Sequence, residues 1–282
     1  MTCDTTRVEH DLLGQKTVPA SAYYGVHTMR ALENFPISGV PISVHTHLID
    51  ALAAVKQAAA EANRELGLLD ASKAEAIVAA CKEIRTGLLH EQFVVDVIQG
   101  GAGTSANMNA NEVIANRALE LLGHARGDYE HLHPLDDVNM QQSTNDVYPT
   151  AVRIALHRAA EGLLDAMGEL REAFRAKGIE FARVVKMGRT QMQDAVPMTL
   201  GQEFTAHAVM IGEDEQRLAE ALRLLHEVNL GGTAIGTQLN ASVAYAAAAR
   251  ARLAAITGIP LVTSPDLVEA TQDAGGFVQL SG

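Results

Sequence analysis

The chain has 282 residues, 48% hydrophobic and 20% charged, which suits a folded globular protein with a sizeable buried core. Lys plus Arg total 22 against 34 Asp plus Glu, for a net charge of -12. That balance argues against a nucleic-acid groove or an anionic membrane surface as partner, so an anionic ligand needs a locally favourable pocket. The two cysteines, Cys3 and Cys81, cannot make a disulfide framework and fit a reducing compartment. The N-terminal stretch MTCDTTRVEHDLLG has no apolar core of a secretory signal and no run is long enough to span a bilayer, so a cytoplasmic protein is expected.

In chain order, the prolines mark where helices can run. None lies in 42–133, 150–196 or 198–259, and those gaps are rich in Ala, Leu, Glu, Arg and Lys. Helices are expected at roughly 43–66, 72–89 and 105–122, joined by polar turns. The stretch HARGDYEHLHPLDDVNMQQS (124–143) marks the expected boundary between an N-terminal helical domain, 1–142, and a long-helix domain, 143–282. From Thr144, Val152, Leu156, Ala159, Leu163, Met167, Leu170 and Phe174 recur at helical spacing. A second series from Thr199 includes Phe204, His207, Ile211, Leu218, Leu222 and Leu225, interrupted by Glu215. Helices of ~30 residues reach ~45 Å. Their length and weak amphipathicity predict an all-α fold whose second apolar face is covered by other subunits.

Polar chemistry gathers at the expected helix ends. GGAGTSANMNAN (100–111) combines glycines, hydroxyls and Asn107, Asn109 and Asn111. It imitates a relaxed dinucleotide fingerprint, but no second strand with an acidic end follows, and the Gly-Lys-Ser/Thr of a P-loop is missing. Thr104 or Ser105 stands where a helix cap belongs, which is one reading. Hydroxyls and free N–H groups at a helix N-terminus also suit an anion, and a carboxylate is the candidate. NMQQSTND (139–146) opens the first long helix with Ser143 or Thr144 as cap, and Pro149 is tolerable in that first turn. GRTQMQDAVP (188–197) separates the two long helices, and LGGTAIGTQLN (230–240) is a second glycine–hydroxyl loop. His45-x-His47 and His131-x-His133 have poor spacing for a shared metal on a helix, so no metal site is expected.

Taken together, these segments resemble the aspartase/fumarase superfamily. The likeness runs from VEHDLLGQKTVPASAYYGVHTMRALENFPISG (8–39) through GGAGTSANMNANEVI, QQSTNDVYPTAVRIAL and GRTQMQDAVPMTLGQEF to VNLGGTAIGTQLN and VEATQDAGGFVQLSG. The resemblance implies a nearly all-α subunit in a homotetramer with active sites shared between subunits. It implies reversible loss of ammonia from L-aspartate to give fumarate, through an aci-carboxylate and without an organic cofactor. It implies substrate contacts at Thr104, Ser143, Thr144, Asn145 and Thr190. Fumarases and some aspartases carry His after the Thr of the GRT motif, where this chain has Gln191. Glutamine cannot exchange a proton near neutral pH but can hydrogen-bond a carboxylate. That difference favours aspartate over malate, with fumarate hydration or an inactive structural relative, as in lens crystallins, as the alternatives. Relatives carry a mobile loop whose serine is the catalytic base. No such sequence occurs here, so the chain is expected to be the N-terminal part of a longer enzyme and inactive alone.

Overall fold

A computed structural model describes residues 5–282, so Cys3 lies outside the described residues; Cys81 is buried. The chain opens with an antiparallel hairpin, β1 (Thr6–Asp11) and β2 (Gly14–Pro19), in which Asp11 faces Gly14. Helices α1 (Val26–Asn34), α2 (Thr46–Glu65), α3 (Ala71–Arg85) and α4 (Thr104–Leu121) follow. A short π-helical turn at Pro134–Val138 leads into α5 (Thr144–Glu180), whose 37 residues extend about 55 Å. A second hairpin, β3 (Val185–Thr190) and β4 (Gln193–Thr199), precedes α6 (Leu200–Arg223). The short strands β5 (Glu227–Val228) and β6 (Val262–Thr263) pair in parallel on either side of α7 (Val243–Thr257). Helices α8 (Leu267–Gln272) and α9 (Gly275–Ser281) complete the chain.

The fold is mainly helical, as the proline gaps and the apolar period require. The expected helices form within a few residues of their predicted bounds. The two hairpins and the short β5–β6 pair are the departures from an all-helical reading. GRTQMQDAVP is more than a connector: it supplies the turn and half of the paired residues of β3 and β4.

The residues cluster into two compact units. The first comprises residues up to Leu156 together with His226–Ala274. Its core centres on α2, which packs against α3 and α7. Ile49, Leu52, Val55, Ala58, Ala59 and Ala62 are all fully buried along α2. Alanine at so many of these positions lets α7, itself alanine-rich, approach closely, while α4 packs on α3 and α1. The second unit comprises His157–Leu225 and Gly275–Gly282. In it the end of α5 meets the start of α6 through glycines: a Cβ at Gly201 would press on the carbonyl of Gly178 and the backbone of Ala182. Phe174, Phe181 and Phe204 stack nearby at 5.5–6.0 Å. Apolar side chains of this unit stay open to solvent, among them Leu163, Leu170, Ile179, Val209 and Met210.

Candidate active site

The glycine-rich stretch forms the entry to α4. Gly101 and Gly103 have φ of +74° and +88°, a backbone region that glycine enters without cost. Gly103 has a second reason: a Cβ there would lie within 3.0 Å of ring carbons of Tyr148 on α5. Its absence lets the first turns of α4 and α5 touch. The cap of α4 differs from the sequence reading. Neither Thr104 nor Ser105 caps the helix. Gly103 is the N-cap, without a side-chain hydrogen bond, and the Gln99 Oε1 accepts the Ala106 N–H at 2.9 Å. Thr104 is exposed, and among the described residues neither its hydroxyl nor its N–H takes a hydrogen-bond partner.

One turn on, Asn107 Nδ2 donates to Thr144 Oγ1 at 3.1 Å and to Asn139 Oδ1 at 3.2 Å. Asn111 Nδ2 donates to the same Asn139 oxygen at 3.3 Å. Asn109 points elsewhere: its side chain accepts the Val94 N–H and donates to the Gln92 carbonyl, bracing the preceding loop. Only two of the three asparagines therefore join the polar cluster.

The third donor to Asn139 Oδ1 is Lys56 Nζ, at 2.7 Å, which also donates to Gln142 Oε1 at 3.0 Å. Lys56 is fully buried on α2, and burial pushes its ammonium down to about 7. Among the described residues no carboxylate touches it. The attraction of Asp146 works against the shift but is smaller than the desolvation. Lys56 was not singled out in the sequence. Its signal is a lone lysine within DALAAVKQAAA, on the helix face that also carries Leu52, Ala59 and Asn63.

At the start of α5, Ser143 Oγ accepts the Asn145 N–H at 3.2 Å, and Asp146 accepts the Ser143 N–H at 3.0 Å. The cap reading therefore holds for Ser143. The Asp146 carboxylate also accepts the N–H groups of Gly231 and Thr233, at 3.1 and 2.9 Å. It is completely buried, which raises its pKa. Asn145 Nδ2 donates to the Ala234 carbonyl at 2.7 Å, and Asn229 Nδ2 donates back to the Asn145 carbonyl at 3.0 Å. The STN segment and the LGGT loop are thus one hydrogen-bonded assembly. A Cβ at Gly231 (φ +90°) would collide with Ala246 of α7, which fixes how closely that loop lies.

The first unit therefore unites Thr104, Ser143, Thr144 and Asn145. Thr190 and Gln191 belong to the second unit, at the tip of its hairpin. Thr190 pairs with Gln193 across a two-residue turn, and Gln191 and Met192 have φ of +49° and +62°. Both signs are those of a type I′ turn, normally given to Asn-Gly. Gln191 and Met192 are exposed there, and Arg189 pairs with Asp194 at 3.2 Å.

Three other helix starts in the first unit, those of α1, α3 and α8, are occupied by the protein's own carboxylates, whereas α7 is capped by the Ser242 hydroxyl. Glu112 accepts the N–H groups of Gly25, His27 and Thr28 at the start of α1, and Glu9 accepts that of Val26. Burial raises Glu112 to about 7 against those hydrogen bonds. Asp70 caps α3 through Ser72 and Lys73, and Asp266 caps α8 through Val268 and Glu269. At α4 a neutral glutamine stands instead.

Residues 14–282 match the sequence profile of a family described as Lyase. Aspartate ammonia-lyase from Pseudomonas aeruginosa is 61% identical over 99% of this chain and 59% of its own length. Aspartate ammonia-lyase from Escherichia coli is 53% identical over 98% of the chain and 58% of its own length. Among solved structures, a fumarate lyase:delta crystallin from Brucella melitensis bound to cobalt superposes with a TM-score of 0.98. It shares 59% identity and is matched over 60% of its length, for 99% of this chain. A class II fumarase from Schistosoma mansoni superposes with a TM-score of 0.92 at 32% identity, across 99% of this chain and 61% of its own. The chain spans about 59% of the length of the curated relatives it matches.

Proposed function

Because the chain belongs to the lyase family, we propose that it is part of an aspartate ammonia-lyase, interconverting L-aspartate with fumarate and ammonia. The observation that carries this reading is the open N-terminus of α4. Thr104 offers an unengaged hydroxyl and N–H one turn from the bridge between Asn107 and Thr144. Sequence identity of 61% to a protein of that activity supports the choice of substrate, as does Gln191 in place of a proton-exchanging histidine.

In the proposed reaction a base removes a proton from the Cβ of aspartate. The electron pair passes into the adjacent carboxylate, which becomes an aci-carboxylate with two negative charges. The pair then returns to form the carbon–carbon double bond as the amine leaves as ammonia. Neutral donors fixed in advance around the developing charge lower the barrier, because they need no reorganisation when it appears. Thr104 and Ser143 are assigned that task, with Thr144, Asn145, Thr190 and Gln191 as further substrate contacts. Lys56 acts through Asn139 and Gln142, holding the segment that presents Ser143. The base is assigned to the loop serine that the resemblance implies, and not to Thr104, Ser143, Thr144, Asn145 or Thr190. The chain alone is therefore expected to lack activity. The exposed Leu163, Leu170, Val209 and Met210 support assembly as a homotetramer. A cytoplasmic location completes the reading.

The test uses the full-length protein and follows fumarate absorbance from L-aspartate. Thr104→Val and Ser143→Ala should each lower kcat by about 10²–10³ if each removes a donor to the aci-carboxylate. Unchanged kcat in both variants, or faster turnover of malate than of aspartate by the wild type, refutes the assignment.

A further inference from the structure

The turn that follows α4 holds a side-chain cluster that the proposed reaction does not use. His124 comes just after the helix, its N–H bonded to the Leu119 carbonyl at 2.9 Å. The chain then reverses through Gly127, whose φ is +85°. Asp128 N–H donates to the Ala125 carbonyl and His131 N–H to the Asp128 carbonyl, so the backbone fixes all three positions. The imidazoles of His124 and His131 face each other at 3.9 Å between centroids, inclined by 30°. The Asp128 carboxylate lies beside both, 3.2 Å from His131 Nδ1 and 3.7 Å from His124 Nδ1.

We propose that His124, Asp128 and His131 form a binding site for a late first-row divalent metal ion such as zinc. One ligand atom from each residue lies within 4.8 Å of the other two. Tetrahedral coordination at zinc bond lengths places ligand atoms about 3.3 Å apart. The Asp128 separations, 3.2 Å from Oδ1 to His131 and 3.7 Å from Oδ2 to His124, lie near that value, and side-chain rotation closes the site. Two imidazoles and a carboxylate suit zinc and its neighbours, whereas magnesium prefers an all-oxygen shell. Partial exposure leaves the remaining coordination position to water.

Neighbouring charges do not compete for the site. Arg126 is turned away, donating to the Ser21 carbonyl at 2.7 Å, to Tyr23 Oη at 2.8 Å and to Glu120 at 3.1 Å. His133 cannot join through Nδ1, because that nitrogen accepts the N–H groups of Leu135 and Asp136. This explains why His131 pairs with His124, seven residues back, rather than with its near neighbour in sequence. A bound ion would tie the end of α4 to the segment leading into Asn139 and Ser143.

Calorimetric titration of the full-length protein with zinc chloride tests this, beside the variants His131→Ala and Asp128→Asn. Both changed residues are partly exposed, and circular dichroism verifies that each variant folds. One zinc equivalent is expected in the wild type, weakened by about tenfold or more in each variant, and the zinc-dependent rise in melting temperature should disappear with it. An absence of zinc binding overturns the proposal. So does an affinity that is unchanged in both variants, or magnesium binding these residues as tightly as zinc.

Discussion

Gly103→Ala probes the contact on which the candidate site is built. Two costs add at this position. An L-residue held at φ +88° pays about 1–2 kcal/mol relative to glycine. The new methyl group also overlaps the Tyr148 ring, and overpacking of this kind costs about 1–3 kcal/mol. The expected loss is therefore about 2–5 kcal/mol. Gly101→Ala is the internal control. Its φ is +74°, but the nearest atom to its added Cβ is Thr104 Oγ1 at 3.6 Å, an ordinary contact. It should lose only the backbone contribution of about 1–2 kcal/mol. Urea unfolding followed by circular dichroism compares the two midpoints. Adding Tyr148→Ala should relieve part of the Gly103→Ala loss and leave the Gly101→Ala loss unchanged, a coupling that a double-mutant cycle isolates. Equal losses for Gly101→Ala and Gly103→Ala, or no coupling to Tyr148, would refute the claim that Gly103 exists for close approach.

Lys56→Met should alter how stability depends on pH. Folded Lys56 releases its proton near pH 7, while the unfolded side chain holds it to about 10.5. Between those values the unfolded state binds more protons, so this lysine makes stability rise with pH and reduces it below about 7. The wild type should gain on the methionine variant from pH 7 to 10 in urea midpoints, and a constant difference would contradict a depressed Lys56. In the second hairpin, replacing Gln191-Met192 by Asn-Gly should raise the melting temperature, by about 0.5–1 kcal/mol of stability, because both positions have positive φ. A lower melting temperature would argue against the type I′ turn.

The helices were legible because their signals are local: proline-free runs, apolar period and hydroxyl-rich starts. The hairpins were not. Neither strand of β3–β4 has a buried face over most of its length, so no alternation marks it. Leu12 and Leu13, which pattern reading would place inside, form the exposed turn between β1 and β2. The roles of the three asparagines were readable in principle. Asn107 and Asn111 are four apart and share a helix face, while Asn109 projects from the opposite side. Gln99 as the cap of α4 was hidden, because its side chain reaches forward seven residues rather than the usual two or three. Lys56 was hidden by its neighbours. An alanine-rich tract reads as a helix whatever single charge it holds, and only tertiary packing makes that charge solitary.

The filling of helix ends by internal carboxylates has a consequence for selectivity among the many small acids of a cell. At α1, α3 and α8 a free acid would have to displace a tethered group whose local concentration far exceeds any metabolite's. Those ends are silenced in advance. At α4 the tethered group is a neutral amide oxygen on the third N–H alone, so an incoming carboxylate meets no rival charge. The molecule narrows its own list of anion acceptors by competing for three of them itself.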